Sequence, residues 1–379
     1  MFKELGYYIC NGIEFESKIA AMTYAQATKL PVKWHFNDEV FNSYPWHIEP
    51  ALSLDELYNK RAREIREQHD YVVLCYSGGS DSHNVLESFI RQGLHIDEII
   101  TNWALDIAEP FTVLDKSQTD TWNHNAEFKL HTADRLNYIR NVIPKTKITM
   151  IDTSKTLIET FLNAKDASWV KTKKEVLNAT GSSQYNYTYF SEIRKRFDKD
   201  RKIAIVIGTD KPKLKLINNR LHLYFVDKAA NMVSIQDHIA EYPNATPVFF
   251  YWAPDSCDIL AKQSHVVLKW LRANPQHQPA WASNDPVVTR RVHEALLKTV
   301  IYSTWNPEWF QVVKSLEDWD SELDYWFTRG WQGTKEYDIW KSGIDYVAKR
   351  IPDFLTRNPD KSIKGTKVCT SQNYFIGTL

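Results

Sequence analysis

The residues best suited to chemistry form one short run between positions 77 and 82. In order they are Ser77, Gly78, Gly79, Ser80, Asp81 and Ser82. Two adjacent glycines allow unusual backbone dihedrals and a close approach of the backbone to a phosphate group. The serines add hydroxyl donors, and a helix beginning here would add free N–H groups and the positive end of its dipole. The run therefore predicts a phosphate-binding loop.

Asp81 is the unexpected member of this loop, because a carboxylate repels phosphate oxygens. A Mg²⁺ ion between the two groups would remove the repulsion, with Asp81 bound to it directly or through water. Asp81 is therefore predicted to be both a catalytic residue and a metal ligand.

The flanking segments predict the elements that would position the loop. Residues 71–76 form an apolar run typical of a strand buried on both faces, and residues 85–90 carry an amphipathic helical pattern. Further strands are predicted at 96–105, 147–151 and 203–207, and helices at 125–142 and 183–197. Alternating strands and helices indicate an α/β fold with a layered parallel sheet, whose ligands bind at the carboxyl ends of strands.

The loop matches neither the GxxxxGK[ST] phosphate loop nor the GxGxxG dinucleotide fingerprint. It resembles the SGGxDS signature of the PP-loop N-type ATP pyrophosphatases, the adenine nucleotide alpha hydrolase-like superfamily that includes asparagine synthetase and the sulfonucleotide reductases. The resemblance has motif support over residues 70–212, and the chain also looks like large PP-loop proteins encoded by bacteriophages. It implies that ATP and Mg²⁺ are bound and that ATP is cleaved between its α- and β-phosphates.

The same resemblance assigns roles at two further strand ends. It brings Asn102 and Trp103 beside the adenine, although Trp103 could equally be a core residue. It makes Lys211 and Lys213 phosphate ligands, with Lys211 catalytic, and Asp210 a metal or substrate ligand. The alternative is that this second segment is a polar turn before a proline.

Departures from the family narrow the expected reaction. Phe2 stands where a glutaminase would carry its cysteine, so we expect a separate ammonia or amine donor. The expected reaction adenylates a carbonyl or carboxylate oxygen of a small-molecule substrate, releases pyrophosphate and then ligates the amine with release of AMP. Two alternatives remain: a sulfonucleotide reductase relative that uses Cys369, and an ATP-binding module without turnover. The Thr-Ser-Gln that follows Cys369 does not match the reductase pattern.

Composition limits the other functions. The 379 residues include 47 lysines and arginines and 47 aspartates and glutamates, so the net charge argues against a general nucleic-acid binder. The basic clusters at 171–174 and 194–202 are interpreted as solvated helix faces, and a tRNA docking surface is the less favoured interpretation. The four cysteines include no CxxC pair, and neither a secretory signal nor a membrane span is visible. These features predict a cytoplasmic protein that does not bind membranes.

Three segments are predicted along the chain. Residues 1–69 would form an N-terminal cap, with a hairpin at Asn11-Gly12, a helix capped by Ser17 and a helix over 52–69. Residues 70–245 would form the ATP pyrophosphatase domain, with a second hairpin pairing 221–226 with 232–235. Residues 246–379 would form a mostly helical, tryptophan-rich region.

Two features of the C-terminal region receive structural interpretations. Asp255 or Ser256 is interpreted as the cap of a helix that continues to residue 273, and His265 as a packed histidine inside that helix. The apolar stripe from Trp309 to Trp326 is interpreted as a buried helix face.

Overall fold

The computed structural model describes residues 6–103, 132–152, 200–208, 210–227, 244–283, 294–310, 327–328, 330–357, 361 and 363–379. Within these ranges, no helix combines the length and the apolar character needed to cross a membrane.

The described strands and helices alternate over much of the chain. The strands are β1 (Tyr7–Cys10), β2 (Ile13–Phe15), β3 (Lys33–His35), β4 (Tyr71–Cys75), β5 (Glu98–Trp103), β6 (Lys147–Asp152), β7 (Ile203–Ile207), β8 (Lys213–Ile217), β9 (Arg220–Tyr224), β10 (Ala245–Phe249), β11 (Leu355–Arg357), β12 (Ile363–Thr366) and β13 (Tyr374–Thr378). The α-helices are α1 (Lys18–Thr28), α2 (Asp38–Phe41), α3 (Leu54–Gln68), α4 (Ser80–Arg91), α5 (Ala133–Val142), α6 (Cys257–Ala273), α7 (Gln278–Ala282), α8 (Glu294–Ile301), α9 (Pro307–Phe310) and α10 (Lys335–Arg350).

The N-terminal hairpin and its helix are as predicted. β1 and β2 pair antiparallel around Asn11 and Gly12, whose φ angles of 53° and 77° are those of a turn that matches strand twist. The Ser17 side chain accepts a hydrogen bond from the Ala20 amide at 3.2 Å and so caps α1. The predicted helix over 52–69 is α3, which packs against α4 and brings the cap onto the loop-bearing helix.

A five-stranded parallel sheet forms the centre of the molecule, which confirms the α/β class. Its strand order is β10-β7-β4-β5-β6, and every neighbouring pair is parallel. The chain moves from β4 outward through β5 to β6, then crosses to the other side of β4 for β7 and β10. The strand order therefore reverses at β4, which is the kind of position where open α/β sheets bind ligands.

The predicted second hairpin is wrong. β9 pairs with β8, which precedes it, through a turn in which Asn218 and Asn219 have φ angles of 49° and 60°. The other edge of β9 pairs with β13. Both edges of β9 are therefore occupied by other strands, and the predicted partner, residues 232–235, lies outside the described residues.

The three predicted segments share one hydrophobic core. Phe41 stacks on Phe225 with ring centroids 4.6 Å apart, and Phe225 meets Trp252 edge-on at 5.0 Å and Tyr374 at 5.9 Å. The strand that starts at residue 245 is the edge of the parallel sheet, so the sheet continues past the predicted boundary to residue 249. The C-terminal region contains helices α6 to α10 and also the short strands β11 to β13.

The start of α6 agrees with its prediction in position only. Ser256 is the N-cap residue, but its side chain makes no cap hydrogen bond, and Asp255 accepts from Arg61 at 2.8 Å. Because Arg61 is buried, this carboxylate compensates its charge. His265 is a packed residue as predicted, with Nε2 3.0 Å from the carbonyl oxygen of Trp46. Of the predicted tryptophan stripe, residues 311–326 lie outside the described ranges.

Candidate functional site

The predicted phosphate-binding loop connects β4 to α4, and its backbone requires glycine at position 78. Gly78 has a φ of +78°, and a Cβ added there would lie 2.6 Å from Oγ1 and 2.9 Å from Cα of Thr132. The Thr132 hydroxyl also donates to the carbonyl oxygen of Ser77 at 2.8 Å. Thr132 therefore holds the loop from outside and leaves no room for a side chain.

The remaining loop residues leave the start of α4 able to accept an anion. Gly79 is the N-cap residue, and no side chain caps the first turn. Ser82 turns inward, where its hydroxyl donates to the carbonyl oxygen of Gly79 at 3.1 Å. Ser80 is buried, and its Oγ has no hydrogen-bond partner among the described residues. Uncapped helix N–H groups and an unsatisfied hydroxyl fit the oxygens of a phosphate group.

Lys211 comes from the segment after β7 and reaches the loop. Its Nζ lies 3.4 Å from Oδ2 of Asp81 and 3.2 Å from Oδ1 of Asp210. Lys213 contacts the other oxygen of Asp210 at 2.8 Å, so both lysines converge on one carboxylate. The structure thus brings the side chains of Asp81, Asp210, Lys211 and Lys213 together, and the roles assigned to them remain predictions.

The electrostatics of this group are dominated by the two lysines. Burial alone would raise the pKa of Asp210, but the ammonium groups of Lys211 and Lys213 outweigh burial and lower that pKa to about 2. Asp210 is therefore ionised at neutral pH. The formal charges of Asp81, Asp210, Lys211 and Lys213 sum to zero before a ligand arrives.

The ends of β4 and β7 meet at close range. A Cβ added to Gly208, directly after β7, would lie 3.1 Å from Cα of Ser82 and 3.3 Å from the carbonyl carbon of Asp81. The two loops therefore face each other across the point at which the strand order reverses.

The proposed adenine contacts lie at the same edge of the sheet. Asn102 and Trp103 form the end of β5, the parallel neighbour of β4. Their side chains lie outside the part of the chain that the structure describes, so a contact with adenine stays a prediction. The same holds for the basic residues at 171–174 and 194–199; Arg201 and Lys202 are described and exposed.

Two tyrosines at the site were not predicted from the sequence. The Tyr251 hydroxyl donates to the backbone carbonyl of Asp81 at 3.0 Å, and the Tyr302 hydroxyl donates to Oδ1 of Asp81 at 2.8 Å. They lie 170 and 221 residues from Asp81 along the chain. No local signal distinguishes them from the many aromatic residues of the core.

A metal site formed by the protein alone is not present in the described residues, which contain no group of three or more His, Cys, Asp or Glu side chains arranged around one point. Asp81 is also engaged by Lys211 and Tyr302. A Mg²⁺ ion held by Asp81, as predicted, would take phosphate oxygens and water among its other ligands.

Beside the loop, His83 is buried in α4. The Tyr76 hydroxyl lies 2.9 Å from its Nδ1, and its Nε2 lies 3.5 Å from Oε1 of Glu87. Burial, together with the nearby Arg135 guanidinium, lowers the pKa of His83 to about 4. His83 is therefore neutral at pH 7 and supports the loop by packing.

This buried histidine predicts a loss of stability in mild acid. An unfolded histidine, with a pKa near 6.5, takes up a proton well before folded His83 does. Unfolding therefore becomes more favourable as the pH falls below the unfolded pKa, and the contribution levels off below the folded pKa. From His83 we expect the free energy of unfolding to fall by about 1 kcal/mol between pH 7 and about pH 5.5. Urea denaturation at both pH values should show this loss in the wild type and a smaller one in His83→Gln; equal losses would contradict it.

Cys369, the cysteine that a sulfonucleotide reductase relative would use, contacts a different cluster of polar side chains. Its amide donates to Oδ1 of Asp227 at 3.0 Å, and Oδ2 of the same carboxylate is 2.6 Å from Nζ of Lys18. Asp227 and Lys18 are both buried, and Cys369 is half-buried. The hydrogen bond described for its amide therefore joins Cys369 to a buried ion pair and not to the loop.

Searches against protein-family models and against curated proteins found no match to this chain. The function proposed below therefore depends on the loop, on the strand order and on the contacts at Asp81.

Proposed function

We propose that this protein is a PP-loop ATP pyrophosphatase that uses ATP to adenylate a carbonyl or carboxylate oxygen. The observation that carries the proposal is the meeting of two strand-end loops where the strand order reverses. The SGGSDS loop follows β4, and Lys211 from the loop after β7 lies 3.4 Å from Asp81. This is the position expected for a ligand of an open α/β sheet.

The loop suits the two terminal phosphates of ATP. The first turn of α4 supplies N–H groups without a side-chain cap, and Ser80 supplies a buried hydroxyl without a partner among the described residues. Gly78, whose positive φ favours glycine, leaves the loop backbone without a side chain at its tightest point. Anion binding at such a helix start uses both the N–H groups and the helix dipole.

The proposed reaction has two steps. A substrate oxygen attacks the α-phosphorus, the bond from that phosphorus to the oxygen bridging to the β-phosphorus breaks, and pyrophosphate leaves. The nitrogen of an amine or ammonia then attacks the adenylated carbonyl carbon, the carbon–oxygen bond to AMP breaks, and the nitrogen loses a proton. Lys211 acts in the first step, because its ammonium neutralises the charge that grows on the leaving pyrophosphate.

The other proposed components of the site neutralise phosphate charge and orient Lys211. Mg²⁺ bound with ATP would neutralise phosphate charge, with Asp81 as its protein ligand. Asp210 orients Lys211, because its carboxylate accepts from both the backbone amide and the Nζ of that lysine. The substrate is proposed to be a small molecule and the amine donor a separate component, with tRNA the less favoured substrate.

The products of ATP test this proposal. Incubation of the protein with ATP, Mg²⁺, ammonia and pools of small carboxylic acids and amides should yield AMP and pyrophosphate, separated by chromatography. Gly78→Ala, whose loop cannot keep its conformation, is the matched control and should yield neither. ADP and phosphate as main products would exclude the mechanism, and ATP binding without any cleavage would identify the alternative ATP-binding module.

A further inference from the structure

Residues 302–310, which follow α8 and include α9, run along the loop-bearing helix α4. At one end Tyr302 donates to Asp81, and two residues later the Thr304 hydroxyl donates to Oδ1 of Asn84 at 3.3 Å. Further along, Trp309 meets the His83 ring edge-on at 5.2 Å. A segment more than 200 residues away in sequence therefore contacts α4 over its first turns.

Tyr302 belongs to a cluster of three fully buried tyrosines with Tyr58 and Tyr251. Their ring centroids lie 5.9 to 6.3 Å apart. Each hydroxyl donates to a different acceptor: Tyr58 to the carbonyl oxygen of Ile301 at 2.9 Å, Tyr251 to the backbone of Asp81, and Tyr302 to its carboxylate. Burial raises the pKa of Tyr302 well above its ordinary value, so this hydroxyl keeps its proton at neutral pH.

The two oxygens of Asp81 thus have different donors. Oδ1 accepts from neutral Tyr302 at 2.8 Å, and Oδ2 lies 3.4 Å from the Lys211 ammonium. The shorter contact is to the neutral group, so the carboxylate is anchored by the tyrosine and only loosely held by the lysine. Without the tyrosine hydroxyl, the carboxylate would be free to rotate and draw the ammonium into a closer ion pair.

Such a closer pair would harm the proposed reaction. The charge of Lys211 is useful only while it faces the leaving pyrophosphate, and a tight pair with Asp81 would compete for it. A cation in the place of Tyr302 would prevent rotation too, but it would add charge to a group of four side chains that sums to zero. A neutral donor fixes the carboxylate without changing that balance.

We infer that Tyr302 is a positioning residue that acts through Asp81, an inference that rests on the proposed function. It keeps the carboxylate turned so that Lys211 remains available to the pyrophosphate. The C-terminal region thereby completes a site whose loop follows strand β4 of the parallel sheet.

A double-mutant cycle tests this role, using Tyr302→Phe, Asp81→Asn and the two together. Loss of a hydrogen bond to a charged group is expected to slow pyrophosphate release about tenfold in Tyr302→Phe. In the Asp81→Asn background the same change should alter the rate less than about twofold, because the residue through which it acts is gone. ATP affinity by calorimetry and urea stability are measured on all four proteins.

Tyr58→Phe is the matched control, since it removes a buried hydroxyl from the same cluster whose described partners are Ile301 and Gln263. It should lower stability as Tyr302→Phe does and leave the rate within about twofold. Equal slowing by the two variants, or additive slowing in the cycle, would overturn the inference.

Failure of the proposed function gives a different result. If the wild type binds ATP but releases no pyrophosphate, the adenylation proposal fails and the cycle is read on ATP affinity, where Tyr302→Phe and Asp81→Asn should again be non-additive. Additive affinities would overturn the role of Tyr302. A wild type that does not bind ATP would overturn both.

Discussion

Lys211→Ala should slow pyrophosphate release about a hundredfold or more while leaving ATP affinity within several-fold of the wild type. The ammonium group of Lys211 stabilises charge that develops mainly in the transition state, so its loss should lower kcat and kcat/KM together. The fold should survive the change, because each carboxylate keeps another donor: Asp81 keeps Tyr302, and Asp210 keeps Lys213. Rapid-mixing measurement of pyrophosphate release, with calorimetry for ATP binding, checks the expectation.

Lys213→Ala is the comparison, because it removes the other ammonium group that contacts Asp210. The Nζ of Lys213 lies 2.8 Å from Oδ2 of Asp210. We expect a smaller rate loss from it, since the contact described with Asp81 is made by Lys211, whereas the contact described for Lys213 is with Asp210. Lys211→Arg, which keeps the charge, should recover part of the rate. If both alanine variants turn over normally, this strand end is structural, and the catalytic charge must come from elsewhere, for example from the basic residues between 194 and 202.

Gly78→Ala should abolish measurable ATP binding. An L-residue in the left-handed conformation costs about 1–2 kcal/mol, and here the new Cβ would also lie 2.9 Å from the backbone of Thr132. Since backbone atoms cannot move aside as a flexible side chain can, the loop must change shape, and the N–H groups at the start of α4 lose their alignment. Calorimetry with ATP and Mg²⁺ measures the loss.

Gly93→Ala separates backbone strain from the clash. Gly93 follows α4 with a φ of +61°, but a Cβ there would meet nothing within 4 Å. This variant should lose about 1 kcal/mol of stability and bind ATP as the wild type does. Wild-type ATP affinity in Gly78→Ala would show that the loop does not hold the phosphates.

The structural features that depend on neighbouring residues in the chain could be predicted from the sequence. The loop at 77–82 was recognisable because its glycines and serines are consecutive, and β4 and β7 because strands buried on both faces are continuously apolar. The approach of Lys211 to the loop was predicted from the family resemblance, and its physical reason is that the carboxyl ends of parallel strands meet at one edge of the sheet.

The failures concern contacts that span long stretches of chain. Tyr251 and Tyr302 reach Asp81 through tertiary packing, and nothing local marks them among 19 tyrosines. The pairing of β9 was mispredicted because two adjacent asparagines, a weaker turn signal than Asn-Gly, join it to the preceding strand, while its other partner is β13 near the end of the chain.

The contact between Tyr302 and Asp81 has a consequence for the newly made chain. The two residues are separated by 221 positions, so a ribosome adding about 5–20 residues per second makes the tyrosine roughly 10–40 s after the aspartate. By the end of that interval all strands of the parallel sheet have been synthesised, and the loop has its helix but lacks the hydroxyl that orients its carboxylate. An unfinished chain can therefore form the sheet before its site is complete, and completion of the site waits for translation of the C-terminal third.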